Sequence, residues 1–396
     1  MKKEFLALMV FSTIFFSSCQ DPIYFEILKD VPPTEATVLG NITAITRTTV
    51  ASEEYLVINS VDGIRYKKHD DDNHGQWVTF TNPPCDFKVS YDETTLEFTG
   101  EQLLKVLSSE DTLYAVTAVY SYSQESGTSI VDYIKLYGIK LSSWQDNSKW
   151  TTIIDKDKSK QYFPLVMNSS DYQESQFAVF QTNAPMKAHR SVYIRSGNSS
   201  PVYYELNGLS APVKKGVTLA DGTSSLANSA VYFGTGVLFF KSPASITNET
   251  YSQEATRYYY AIDGTLYGND ADGSTINKKF IDIGSQISTL AVCSNSILIG
   301  LGDFSKTNST GGIKRVLLSN GNPNSYTSEF DSNASYQFTS SYMINCLLNA
   351  TPGESENNSC LYIANSFSGN NSTSNASFKN IGLWSYYPSR GNWNRE

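Results

Sequence analysis

The sequence is poor in charge, in histidine and in helical periodicity. Only 17% of its 396 residues are Asp, Glu, Lys or Arg, below the usual quarter of a globular chain. That excludes a coiled coil and a long charged tail. Lys and Arg number 30 against 39 Asp and Glu, a formal charge of −9, which argues against nucleic acid as a partner because phosphate neutralisation needs a basic surface. The three histidines, His69, His74 and His189, form no HExxH pair, and none of the five cysteines stands in a CxxC, so neither a zinc site nor a thioredoxin-like site is expected. No GxSxG elbow, P-loop or phosphate-cradling glycine run occurs. Apolar runs long enough to cross a bilayer as a helix are missing as well; Phe5–Phe16 falls short.

What the chain has instead is rings and small polar residues. Aromatics make up 13%, led by 26 Tyr and 20 Phe, and Ser, Thr and Asn fill much of the rest. Flat rings and branched side chains suit a pleated, half-buried surface, so the expected fold class is all-β.

The N-terminus reads MKKEFLALMVFSTIFFSSCQD. A basic start at Lys2 and Lys3, an apolar stretch, and small residues Ser17 and Ser18 just before Cys19 make a secretory pattern. It resembles the lipobox of bacterial lipoproteins, with Phe16 where that family usually carries an aliphatic residue. The resemblance covers about the first 20 residues. It implies cleavage before Cys19, acyl chains such as palmitate on that residue, and a place at the cell envelope, the outer membrane or cell surface before the inner membrane. The chain then divides into a signal peptide (1–18), a lipidated tether (19–34) ended by Pro32-Pro33, and a single domain (35–396).

Within that domain short apolar runs recur, each followed by a second strand, a polar turn and an outer strand with an aromatic near its start. Those aromatics are Trp77, Trp150, Tyr203, Phe280, Tyr326 and Trp393, spaced about 63 residues apart on average. About four strands per unit is the pattern of a β-propeller, most simply of six blades, with seven also open and tandem β-sandwiches as the competing architecture. The last blade is short, and residues 36–45 are expected to complete it. One segment, GEQLLKVLSSED (100–111), reads as a helix, with Leu103, Leu104 and Leu107 on one face.

Few residues suggest chemistry. The run HDDDNH (69–74) and the segment NDADGS (269–274) invite a metal, but neighbouring residues of an extended turn point apart. The second also lacks the closing glutamate of a calcium loop. Both read more simply as solvated turns, and no metal or cofactor is expected. The turns at 70–77 and 145–150 partly resemble the Asp-box hairpin of sialidase-like propellers, itself a structural turn. The docking motif of the outer-membrane assembly propellers is not repeated here. Cys346 and Cys360 lie symmetrically about Gly353, which leaves two readings: a disulfide across a Pro-Gly turn, or two buried thiols. Five long segments (123–132, 184–190, 241–256, 303–311, 368–379) are expected to join second to third strands and to gather on one face. The functional expectation is a monomeric, non-catalytic scaffold that binds a protein or a glycan. The alternatives are a sialidase-like enzyme acting on glycans and a purely structural envelope protein.

Overall fold

The computed structural model describes residues 38, 40–69, 76–87, 89–94, 97–123, 127–144, 150–164, 179–181, 191–196, 202–215, 240–241, 258–262, 264–268, 278–302, 310–319, 322–329, 338–351, 354–367 and 380–396. The main unit runs over Val38–Asn394 with Glu396. It is all-β, as the composition predicts.

Among the described residues six antiparallel sheets follow one another along the chain, each a meander in sequence order. The first holds β1 (Ile45–Val50), β2 (Glu53–Ser60), β3 (Gly63–Lys68) and β4 (Val78–Thr79). The second holds β5 (Val89–Asp92), β6 (Glu97–Ser108), β7 (Thr112–Ser123), β8 (Thr128–Lys140) and β9 (Thr151–Ile154). The third holds β10 (Val179–Gln181), β11 (Val192–Ser196), β12 (Val202–Leu206) and β13 (Val213–Lys215). The fourth holds β14 (Phe240–Lys241), β15 (Tyr258–Ile262), β16 (Thr265–Gly268) and β17 (Lys278–Asp282). The fifth holds β18 (Ile287–Val292), β19 (Ser296–Leu301), β20 (Ile313–Ser319) and β21 (Asn322–Glu329). The sixth holds β22 (Tyr342–Asn349), β23 (Leu361–Phe367), β24 (Gly382–Tyr387) and β25 (Asn392–Arg395).

A small meander cannot bury both faces alone, and here each sheet is covered by its neighbours. Val57, Ile64 and Phe80 of the first sheet region pack with Leu103, Val106 and Trp144 of the second. Leu104, Val116 and Leu136 pack with Val192 and Ile194 of the third. Tyr193 of the third meets Tyr259 and Ala261 of the fourth, which meet Ile287 and Leu290 of the fifth. Leu298 and Ile313 of the fifth meet Ile344 and Ile363 of the sixth. Leu56 and Ile58 of the first sheet close the cycle with Tyr362, Leu383 and Tyr387 of the sixth. At the fifth-to-sixth junction the backbones nearly touch. A Cβ on Gly311 would fall 1.9 Å from the Tyr342 carbonyl oxygen, so only glycine allows this close approach.

The closing seam carries a buried charge pair. The Lys67 ammonium of β3 donates to the Glu396 carboxylate at 2.9 Å, with side chains 1% and 6% exposed. The Trp77 indole N–H donates to the same carboxylate oxygen at 2.7 Å, and the Ser385 hydroxyl to the other. Lys67 lies over the rings of Trp77, Tyr362 and Tyr387.

Several expectations are corrected. Residues 100–111 are not a helix: most of them lie in β6, where Leu103, Leu104, Val106 and Leu107 are all buried. A bulge between Leu103 and Lys105 shifts the register against β7, so the apolar residues break strict alternation and mimic a helical face. The described helix is α1 (Lys156–Tyr162), which begins where the Asp155 side chain accepts the Lys158 backbone N–H at 3.1 Å. The described residues of 36–45 do not form a strand of the sixth sheet, where β25 is the last strand; the Val38 N–H donates to the Glu396 carbonyl. The long segments do not form one class. Segments 123–132, 303–311 and 368–379 join β7 to β8, β19 to β20 and β23 to β24. Segments 184–190 and 241–256 join first to second strands, β10 to β11 and β14 to β15. Successive connections of a meander leave opposite ends of its sheet, so the single-face expectation fails. Most residues of these segments lie outside the described residues.

Candidate functional site

The initial strand of a meander leaves one edge without a ladder partner, and its N–H and C=O groups need other partners. Here the neighbouring sheets supply them. The Thr43 hydroxyl donates to the Leu104 carbonyl of β6, and the Ser108 hydroxyl of β6 to the Arg47 carbonyl of β1 at 3.1 Å. The Ser288 hydroxyl of β18 donates to the Ile344 carbonyl of β22 at 2.6 Å. The Leu347 N–H donates to the Thr289 hydroxyl at 3.2 Å, and Asn345 donates across the closing seam to the Ile42 carbonyl at 3.0 Å. One buried triangle joins three sheets. The Thr46 hydroxyl and the Ser108 N–H both donate to the Gln181 side-chain oxygen, at 2.7 and 2.8 Å, and the two hydroxyls lie 2.7 Å apart.

Lys105 of β6 belongs to this group. Its ammonium donates to the Val179 carbonyl of β10 at 3.1 Å. Burial pushes its pKa down to about 8, with the Cys346 thiol nearby acting the other way. The sign follows from protons bound. The unfolded lysine stays charged to about pH 10.5, whereas the folded one releases its proton near 8. The charge therefore costs stability below pH 8, and the cost is relieved as the pH rises toward 10.5. Wild type should gain stability relative to Lys105→Met between pH 8 and 10.5, measured by urea unfolding. A difference that does not change with pH would reject this reading.

A second polar cluster sits on the second sheet. The Glu101 carboxylate accepts from the Thr117 hydroxyl at 2.6 Å, the Lys135 ammonium at 2.7 Å and the Tyr137 hydroxyl at 2.8 Å. Burial works against its charge, but these partners hold its pKa below the usual carboxylate range. Cys85 is close by, and burial pushes its thiol up to about 12, so at neutral pH it is no nucleophile. Sequence inspection missed this cluster because its members come from three strands, β6, β7 and β8. Both clusters are internally satisfied: their donors and acceptors serve each other.

The residues singled out in the sequence do not gather at either place. Trp77 and Trp150 stand just before β4 and β9, while Phe280, Tyr326 and Trp393 lie in β17, β21 and β25, all last strands of their sheets. Tyr203 is different, lying in β12, the third strand of its sheet. Cys346 and Cys360 are both buried. Their strands do pair, but Cys346 faces Ala364 across the ladder, and the Cys360 carbonyl accepts from the Ala350 N–H. That offset of four residues is about 13 Å along a strand, beyond the Cα separation a disulfide allows. Of the two readings left open for Cys346 and Cys360, the disulfide across the Pro-Gly turn is thereby corrected. Cys19, residues 70–74 of the HDDDNH run and the 269–274 segment lie outside the described residues. Among the described residues no three His, Cys, Asp or Glu side chains are placed to hold one metal ion, and no helix is long and apolar enough to cross a membrane.

No family model matches the chain, and no curated protein is similar to it. Solved structures give distant likenesses. An extracellular domain from B. thetaiotaomicron, assigned to a one component system, aligns at 12% identity over 89% of this chain and 39% of that one, with a TM-score of 0.35. A glycosyl hydrolase from Bacteroides ovatus aligns at 10% identity over 91% of this chain and 88% of that one, TM-score 0.33. The Neurospora crassa Pan2 WD40 domain aligns at 12% identity over 82% and 72%, TM-score 0.34. This chain thus spans well under half of the first of these proteins. At such TM-scores the likenesses assign no residue role and no activity to this chain.

Proposed function

We propose that the chain is a six-bladed β-propeller, tethered outside the cytoplasm at a bacterial envelope by acyl chains on Cys19, and that it works by binding a glycan or a protein rather than by catalysis. The observation that carries this reading is the closed cycle. Six consecutive meanders are joined in order by shared apolar clusters, and the last is joined to the first. Radial repetition of four-stranded sheets answers the edge-strand problem in this way. Hydrogen bonds between sheets tie Thr46, Lys105, Ser288 and Asn345 to groups on their neighbours, which suits a rigid scaffold. An acidic chain of this kind has no use for nucleic acid, and a monomer suffices.

The anchor has a direct test. Cys19→Ala removes the thiol that would carry the acyl chains, and more than one chain is needed for firm attachment. Wild type should partition into the detergent phase and the variant into the aqueous phase. Equal aqueous partitioning would end the lipoprotein reading. For the binding role, the purified Cys19→Ala chain is incubated with arrayed glycans and with surface proteins of the parent cell. Saturable binding without release of reducing ends is the expected outcome. Product release would turn the reading toward a glycan-active enzyme.

A further inference from the structure

The second sheet is longer than the others. β6, β7 and β8 run for 12, 12 and 13 residues, and no described residue of 89–102 or 119–130 belongs to an apolar core cluster. This overhang is paired in register by β5, β6, β7 and β8. Side chains directly opposite one another share a face, and so do those two residues along. One face therefore carries Tyr91, Phe98 and Tyr122 in a row across three strands. Their ring centroids are 4.5 Å apart from Tyr91 to Phe98 and 6.1 Å from Phe98 to Tyr122, tilted by 32° and 45°. Tyr120 extends the row: its ring tip covers Gly100, where a Cβ would fall within 2.7 Å. Tyr91 is 44% exposed and Val89, beside it, 57%.

We propose that this aromatic ribbon is the glycan platform of the protein, and that its ligand is a neutral polysaccharide. The inference rests on the glycan arm of the proposed function and names its site. Charge decides the ligand class. The overhang's other face carries the ionic groups, Glu101 and Lys135 among them. Every residue in register on the aromatic face of the overhang is uncharged, from Val89 and Tyr91 on β5 to Ser129 on β8. A chain of net charge −9 repels acidic polysaccharides over a Debye length, while an uncharged ring surface suits a neutral one. The apolar C–H face of a pyranose lies against an aromatic ring, and tyrosine adds a hydroxyl at the ring's rim for the sugar hydroxyls. Exposed aromatic surface is costly to leave in water, and patches of it mark interaction sites.

The test is affinity electrophoresis of the Cys19→Ala chain through gels containing mannan, xyloglucan or mixed-linkage β-glucan as neutral probes, and alginate or pectate as acidic ones. The same background with Tyr91→Ala and Tyr122→Ala is run alongside. Thermal unfolding must be superimposable for the two, and Tyr122→Phe serves as the conservative variant that keeps the ring. The expected result is retardation in at least one neutral gel, weakened at least tenfold by the double alanine change and retained by Tyr122→Phe. Retardation that survives the alanine changes overturns the platform but leaves a glycan-binding scaffold standing. Retardation in acidic gels alone also overturns it. If no neutral gel retards the chain while the glycan and protein arrays find another ligand, the platform falls and the scaffold stands. If the arrays are blank as well, both fall.

Discussion

Replacing Glu396 by alanine will destabilise the protein by about 3–5 kcal/mol, the usual effect of removing one partner from a buried ion pair. Lys67 would be left charged and enclosed, with its partner carboxylate gone. The Trp77 and Ser385 donors would lose their acceptor at the same time. Urea unfolding should show the loss as a lower midpoint. Changing both Lys67 and Glu396 to methionine should recover part of it, because no buried charge then lacks a partner. The effect depends on pH with a definite sign. Burial opposes the Glu396 charge, but the Lys67 ammonium and the hydrogen bonds from Ser385, Lys67 and Trp77 outweigh it, so its pKa lies below the ordinary carboxylate value. A depressed folded-state pKa contributes stability that is present above the unfolded value, about 4.5, and is lost as the pH falls through the folded one. Wild type and Glu396→Ala should therefore converge in stability on acidification below that value. If the gap stays constant down to pH 2, the seam is not held by this charge pair.

Trp144→Ala should cost about 3–5 kcal/mol, the range for truncating a buried aromatic. Trp144 is 1% exposed. It meets Tyr55 and Tyr66 of the first sheet at ring-centroid distances of 5.2 and 5.0 Å, and Phe80, just beyond β4, at 5.6 Å. It follows β8 directly after a short 3-10 turn, Leu141–Ser143, so one ring from the second sheet keys into the rings of the first. Alanine would leave a cavity between two sheets that the backbone cannot close. Trp144→Phe keeps most of the packing and should cost less than half as much. The measurement is the urea midpoint, with near-UV circular dichroism reporting the ring cluster. A loss below 1 kcal/mol for Trp144→Ala would mean that the two sheets are joined elsewhere.

Repetition, strand composition and the secretory N-terminal pattern belong to the sequence alone. Rings, branched residues and regularly spaced turns made an all-β chain of short strands legible, and the spacing of the aromatics pointed to six units. Strands buried on both faces, such as β18 and β19, show as apolar runs, SILIGL of β19 more plainly than ISTLAV of β18. β1 (ITRTTV) carries no such mark: its buried Thr46 bonds to Ser108 and Gln181, groups far away in sequence, so nothing local shows it as interior. β6 was misread because a bulge breaks the two-residue period that identifies a strand. Register was the other hidden quantity. Cys346 and Cys360 looked like partners about Gly353, yet the hairpin pairs four residues out of that symmetry, because burial of β22 and β23 fixes the ladder and the intervening turn adapts to it. The Lys67–Glu396 pair spans most of the chain, and the Tyr91–Phe98–Tyr122 row exists only once three strands are in register. Local chemistry marked most of the segments that become strands. Which strand ends where, which polar groups meet and which rings face water were decided by packing between sheets, since those contacts join residues that no local pattern connects.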